Sequence, residues 1–171
     1  MEQQNTTNTN DNNMDAQLNE YTELVTEALQ QGASLKDLEG IPNELMDGVY
    51  RFAYNFYQQG KLEEAETFFR FLCLYDFNNS DYIMGLAAVK QLQKQYETAL
   101  DLYALAYVHG DNDYRPMFYG GQCNLIIGEK EKAKYCFQKV YQHANDQELK
   151  HRAQAYIEFL ASSLANDDKQ G

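Results

Sequence analysis

Three alanines at one fixed interval constrain this chain more than any other feature. Ala65, Ala99 and Ala133 lie 34 residues apart. Phe69, Tyr103 and Phe137 repeat the interval four residues further on, and Glu63, Glu97 and Glu131 repeat it two residues before each alanine. Phe52, Leu86 and Gly120 form another column, and the small residues Ala53, Ala87 and Gly121 form the next. A small column lets one helix of a unit approach the other, and the aromatic from the second helix fills the space above the contact. The columns therefore predict a tandem array of antiparallel helix pairs, each packed on its neighbours.

Such a period is the mark of the tetratricopeptide repeat. The expected fold is all-α: three tandem tetratricopeptide repeats with an N-terminal helical segment and a C-terminal capping helix. Residues 1–14 are polar and without periodicity, and read as a disordered tail that cannot bury enough surface to offset its ordering entropy. Residues 15–43 form the N-terminal helical segment, in which Leu18, Tyr21, Leu24, Val25, Ala28 and Leu29 keep helical spacing until Gly32. Ser34 and Asp37 have capping-box spacing for a short turn, and Gly40 to Asn43 breaks the chain before the next helix. Residues 44–145 hold the three repeats. Gly60 and Gly128 close two of their first helices, whereas Lys94 stands in the same column of the middle repeat and leaves that turn open to question. Residues 146–165 are the capping helix, with Ala153, Tyr156, Ile157, Leu160 and Leu164 on one side, and 166–171 form a second polar tail.

The first helix of repeat one carries two stripes. Val49, Phe52, Ala53 and Phe56 form the face expected to pack between helices, and Tyr50, Tyr54 and Tyr57 form another. A helix that is apolar or aromatic on two sides must be covered on both. In this architecture the first helices line the concave surface, and the corresponding positions are Met84, Ala88 and Gln91 in repeat two and Phe118, Gln122 and Leu125 in repeat three. A floor of rings, apolar groups and amides suits an extended peptide: tyrosine offers large contact area with few rotatable bonds, and glutamine bonds peptide backbone. The competing reading folds the N-terminal helix over Tyr50 and Tyr54 as core. A groove that clamps acidic C-terminal tails needs several cations, and only Arg115 is available at these places.

Charge and motifs exclude other classes. Lys+Arg 14 against Asp+Glu 26 gives a net charge of -12, which disfavours direct nucleic-acid or anionic-membrane binding. No apolar run approaches the ~20 residues of a membrane span, and the first fourteen residues lack a signal-peptide pattern. The expected location is cytoplasmic. Cys73, Cys123 and Cys136 lack CxxC spacing and fall in apolar helical patterns, as buried reduced thiols do. There is no phosphate-cradling loop, nucleophile elbow or HExxH helix, and His109, His143 and His151 are scattered. No enzyme, metal or cofactor is expected.

Four strings go beyond the generic repeat: GASLKDLEGIPNELMDGVY (Gly32 to Tyr50), EEAETFFRFLCLYDF (Glu63 to Phe77), DYIMGLAAVKQL (Asp81 to Leu92) and NDYRPMFYGGQCNL (Asn112 to Leu125). They closely resemble the class II chaperones of bacterial type III secretion, in the branch found with invasion-type systems. The resemblance implies a cytoplasmic chaperone that binds hydrophobic translocator proteins, with the concave groove holding an extended segment from a translocator's N-terminal region. It implies Tyr50, Tyr54, Tyr57, Met84 and Ala88 as groove residues, while Phe118, Gln122 and Leu125 rest on repeat position. It also implies a homodimer in the absence of cargo, with Leu18, Leu24, Val25 and Leu29 as the self-association face; intramolecular packing of that face is the alternative. Some relatives of this branch bind an AraC-type transcription activator, so a co-activator role stands as the alternative function, and a general tetratricopeptide scaffold as a third.

Overall fold

The computed structural model describes residues 23–28 and 30–167, with side chains through Ser162, and every element of regular structure among them is a helix. The chain divides into two units, Met1–Pro42 and Asn43–Gly171.

In the first unit, α1 covers residues 23–28 and the chain turns at Gly32, whose φ of 89° is the left-handed conformation. Helix α2, Leu35–Glu39, is held by a complete capping box. The Ser34 backbone N–H and hydroxyl both donate to Asp37 Oδ2, at 2.9 and 2.6 Å, and these bonds hold the Asp37 carboxyl below its usual range. Leu24 is 60% exposed and Val25 half-buried. Leu18 and Leu29 lie outside the described residues.

The second unit is built of helix pairs: α3 (Asn43–Gln58) with α4 (Leu62–Tyr75), α5 (Ser80–Leu92) with α6 (Tyr96–His109), and α7 (Arg115–Ile126) with α8 (Lys130–His143). A single long helix, α9 (Gln147–Asp167), follows, extending two residues into the stretch expected to be a polar tail. The repeat columns carry the packing. Ala53, Ala65, Ala87, Ala99 and Ala133 are fully buried, and Phe69, Tyr103 and Phe137 above them are at most 2% exposed. Burying each such ring contributes roughly 1.5–3 kcal/mol. The approach leaves no spare room. A Cβ built on Gly121 stands 2.9 Å from the Phe137 ring, and one built on Gly85 overlaps the Phe69 ring of the preceding repeat.

Phe52 departs from its expected packing role, because it is 62% exposed. The column explains why. Gly120 at the same position faces Leu100 and Tyr103 of the preceding α6, and Leu86 is also buried, but within the repeat body no helix precedes α3 to cover Phe52.

The turns follow the same period with different chemistry. Gly60 and Gly128 adopt φ of 72° and 88°, and Lys94 adopts φ of 63°, so the middle repeat makes the left-handed turn without glycine. Backbone bonds from Gln95 N to Lys90 O at 2.9 Å and Lys94 N to Gln91 O at 3.0 Å match those from Glu129 N to Asn124 O at 2.8 Å and Gly128 N to Leu125 O at 3.2 Å. Between α4 and α5, Asn79 caps the new helix by accepting from Asp81 N at 3.1 Å. The α4 carboxylate of Glu66 receives Lys90 at 2.6 Å and Gln93 at 2.9 Å from the α5 side, which ties repeats one and two and lowers its pKa.

Helix α9 closes the third repeat. Ala153 and Leu160 are fully buried on it, and Tyr156 stacks on Phe137 with centroids 4.5 Å apart. Asp146 caps it, accepting from Glu148 N at 2.8 Å and Leu149 N at 3.2 Å.

Two substitutions separate these features. Gly85→Ala forces the Phe69 ring out of its seat and is expected to lower stability by about 1–3 kcal/mol. Lys94→Gly relieves a left-handed conformation that costs an L-residue roughly 1 kcal/mol, and is expected to be neutral to stabilising by several tenths of that. Urea unfolding followed by circular dichroism measures both, and equal destabilisation by the two would refute the packing role of Gly85.

Candidate functional site: an aromatic cleft across three helix pairs

The first helices of the repeats face a common cleft of about 460 Å³. From α3 come Tyr50, Tyr54 and Tyr57; from α5, Asp81, Met84, Gly85, Ala88, Gln91 and Leu92; from α7, Arg115, Tyr119 and Gln122. Two second-helix aromatics, Phe69 and Tyr103, reach its floor between them.

The α3 tyrosines form a ladder because positions four and three residues apart share a helix face. Tyr50 and Tyr54 stack with centroids 6.5 Å apart, and Tyr54 and Tyr57 with centroids 6.1 Å apart. Tyr50 also meets Phe69 edge-on at 6.0 Å and Tyr82 at 5.6 Å, so its ring is anchored while Tyr54 stays exposed. Deeper in, Tyr103 stacks on Tyr119 at 5.8 Å and its hydroxyl donates to Gln91 Oε1 at 2.7 Å. In repeat three, Gln122 Nε2 donates to the Tyr156 hydroxyl at 2.8 Å. Each of these glutamines thus engages one end of its amide with a tyrosine.

Seven of the nine residues expected to line a groove come together here: Tyr50, Tyr54, Tyr57, Met84, Ala88, Gln91 and Gln122. Phe118 and Leu125 do not line the cleft. Phe118 is fully buried among Phe137, Tyr156 and the guanidinium of Arg152, which lies 4.5 Å over its ring, and Leu125 packs against the same core. Helix α9 is the cause. Its Tyr156 and Arg152 lie against the Phe118 ring, while α7 turns Arg115, Tyr119 and Gln122, spaced i, i+4 and i+7 on one face, to the cleft in the columns of Asp81, Gly85 and Ala88 on α5. That spacing was an available signal for Tyr119, which stands 34 residues after the cleft residue Gly85 but outside the columns of Tyr50, Tyr54 and Tyr57. The second-helix rings Phe69 and Tyr103 were readable only as core.

Arg115 is the cation of the cleft lining. Its Nε donates to both Asp113 oxygens, at 3.0 and 2.9 Å, and its Nη2 lies 2.8 Å from Asp113 Oδ2 and 2.9 Å from Asp81 Oδ1. The Asp113 hydrogen bonds above all, with the charges of both carboxylates, hold the guanidinium protonated far above its ordinary range. Burial pushes the Tyr50 and Tyr57 hydroxyls upward, with the Asp81 charge adding at Tyr50 and Tyr119 at Tyr57; at Tyr103 burial raises the value furthest. The cysteines stand apart from this chemistry: burial pushes Cys73 up to about 12 and Cys123 up to about 11, which makes them poor nucleophiles.

Comparison with known proteins bears on the family and the fold. The Tetratricopeptide repeat family matches residues 46–79 and 80–113. The chain is 52% identical over 141 residues to the chaperone protein SicA of Salmonella typhimurium, covering 82% of this chain and 86% of SicA. Its fold is similar to that of a type III secretion complex from Aeromonas hydrophila, with a TM-score of 0.79 and 26% identity over 84% of this chain and 98% of the other. It is also similar to the Yersinia enterocolitica type III secretion chaperone SycD solved with a peptide of the translocator YopD, with a TM-score of 0.68 and 28% identity over 72% of this chain and 97% of SycD.

The buried hydroxyls generate a prediction about alkali. A tyrosine whose pKa is raised on folding contributes stability that is complete below its unfolded value of about 10 and is lost as pH rises toward the folded value. Absorbance titration of the folded chain is therefore expected to show a class of tyrosines, Tyr103 foremost, that resists ionisation until alkaline unfolding. Replacing Tyr103 by Phe should shrink that class. Titration of every tyrosine near pH 10 with helicity intact would contradict the cleft as described.

Proposed function

The chain belongs to the tetratricopeptide-repeat chaperones of type III secretion that include SicA, and from that premise we propose how it holds its cargo. It is a chaperone of the hydrophobic translocator proteins of such a system. An extended segment from a translocator's N-terminal region lies along the cleft, its apolar side chains against the tyrosine ladder and its main chain against Gln91 and Gln122. The observation that carries the reading is the tyrosine ladder itself: three rings on α3 turned to an open cleft rather than closed into core.

Occupying a translocator's membrane-seeking surface keeps it soluble and apart from its co-translocator, and this needs binding energy without bond chemistry. The relatives reported above are chaperones rather than enzymes, in keeping with a non-enzymatic role. Among the described residues no helix is long and apolar enough to cross a membrane, and the work of the chaperone belongs in the bacterial cytoplasm before secretion. In this reading residues 44–145 hold the cargo and 15–43 serve self-association, for which the exposure of Leu24 speaks. An AraC-type activator, if it is a second partner, meets the chain through protein contacts, since a net charge of -12 repels DNA.

Co-expression with translocators from the same genome, followed by affinity purification, tests the assignment. The wild-type chain is expected to retain a soluble translocator. The double variant Tyr54→Ala with Tyr57→Ala is expected to lose it, with helicity nearly unchanged, because rings that stand in the cleft contribute about 1–3 kcal/mol each to a ligand and less to repeat packing. Retention of the translocator by the double variant would move the cargo off the cleft. Co-purification of an activator protein would add the regulatory role.

A further inference from the structure

We propose that Asp81 is a specificity residue of the cleft, selecting a cargo segment that brings a lysine or arginine side chain to the junction of repeats two and three. The proposal rests on the cleft being the cargo site. It starts from an imbalance of charge in the cleft wall. Asp81 and Arg115 occupy one repeat column, 34 residues apart, and their ion pair at 2.9 Å joins the N-terminal ends of α5 and α7. Arg115 is already matched by Asp113, which takes Nε on both oxygens and Nη2 on one, and Asp113 also accepts the Arg115 backbone N–H at 2.9 Å. Two carboxylates therefore face one guanidinium, and the surplus negative charge falls on the one that is more loosely held.

That one is Asp81. Its side chain is 51% exposed against 20% for Asp113, and among the described residues only its Oδ1 is engaged. Oδ2 remains free to accept. Asp81 lines the cleft beside Tyr50, whose ring closes the site on the α3 side and whose hydroxyl lies close enough to feel the Asp81 charge. A cargo cation entering here gains a carboxylate oxygen, a tyrosine face for its apolar stem, and relief of the surplus charge. An acidic cargo side chain would meet the Asp81 carboxylate and a guanidinium whose charge Asp113 already offsets. The rest of the cleft lining is uncharged, so this is where a passing segment has its charge read.

The test uses the full chain and overlapping synthetic peptides covering the N-terminal regions of translocators encoded in the same genome, each made also with every Lys and Arg replaced by Gln. Asp81→Asn is the informative variant, because asparagine keeps an Oδ1 acceptor for Arg115 while losing the charge; circular dichroism checks that it stays folded. At low salt, the wild-type chain is expected to bind one native peptide about three- to fivefold more tightly than its Gln counterpart, the difference shrinking at high salt. Asp81→Asn should bind the two alike. If the wild-type chain binds a peptide without regard to its basic residues, or Asp81→Asn keeps the full difference, the proposal falls while the cleft assignment stands. If no peptide binds either protein, the cleft assignment falls and the proposal with it.

Discussion

Everything in this fold depends on how closely the helices approach across their small residues. Ala53, Ala65, Ala87, Ala99, Gly121 and Ala133 remove side-chain volume at the crossing points, and Phe69, Tyr103 and Phe137 restore it on one side only. The pairs are consequently wedged, each ring seated on the next contact, with Phe69 reaching across to Gly85 of the following repeat. Because Phe69 and Tyr103 pass through that wedge to the floor of the cleft, the rings that hold the repeats together also shape the surface offered to a ligand. Packing and cleft shape are thus not separable at these two positions, whereas Tyr54 and Tyr57 stand in the cleft wall.

Polar groups play a smaller and more local part. The Glu66 carboxylate with Lys90 and Gln93 ties repeat one to repeat two, and Asp81 with Arg115 ties repeat two to repeat three. Both links are partly exposed, and ion pairs of that kind stabilise little on their own. Their importance is positional: the first holds α4 against the end of α5, and the second joins the N-terminal ends of the first helices α5 and α7. The middle turn shows the same economy of means. Lys94 takes the left-handed conformation that glycine takes in the other two turns, because the hairpin backbone around it is already determined by the packed helices.

Much of the fold was legible in the sequence because a repeat states each constraint several times over. The all-helical class, the aromatic and alanine columns, the terminating glycines and the capping box of Ser34 and Asp37 all follow from local rules that the chain obeys repeatedly. The cleft was legible where those rules translate faithfully, through Tyr50, Met84, Ala88 and Gln122. It was not legible where residues of one column are covered to different extents in successive repeats. Phe52 lies bare because no helix of the repeat body precedes it, whereas Phe118 is buried under α9 residues and Leu125 is partly buried against the same core. Tyr119 and Arg115 line the cleft in the columns of Gly85 and Asp81, which translation from Tyr50, Tyr54 and Tyr57 does not reach. The partnership of Arg115 with Asp113 and Asp81 likewise needs coordinates, since one partner is two residues away and the other 34.

The amide and hydroxyl pairs of the cleft floor carry one more consequence. Tyr103 with Gln91 and Gln122 with Tyr156 are bonded to each other, and among the described residues no buried side-chain nitrogen or oxygen lacks a partner. The cleft floor therefore draws its hydrogen bonds from the chain itself, and each glutamine serves two structures at once. Replacing Gln91 or Gln122 by an apolar residue changes the lining and at the same time takes the partner from a tyrosine hydroxyl in the packed body behind it.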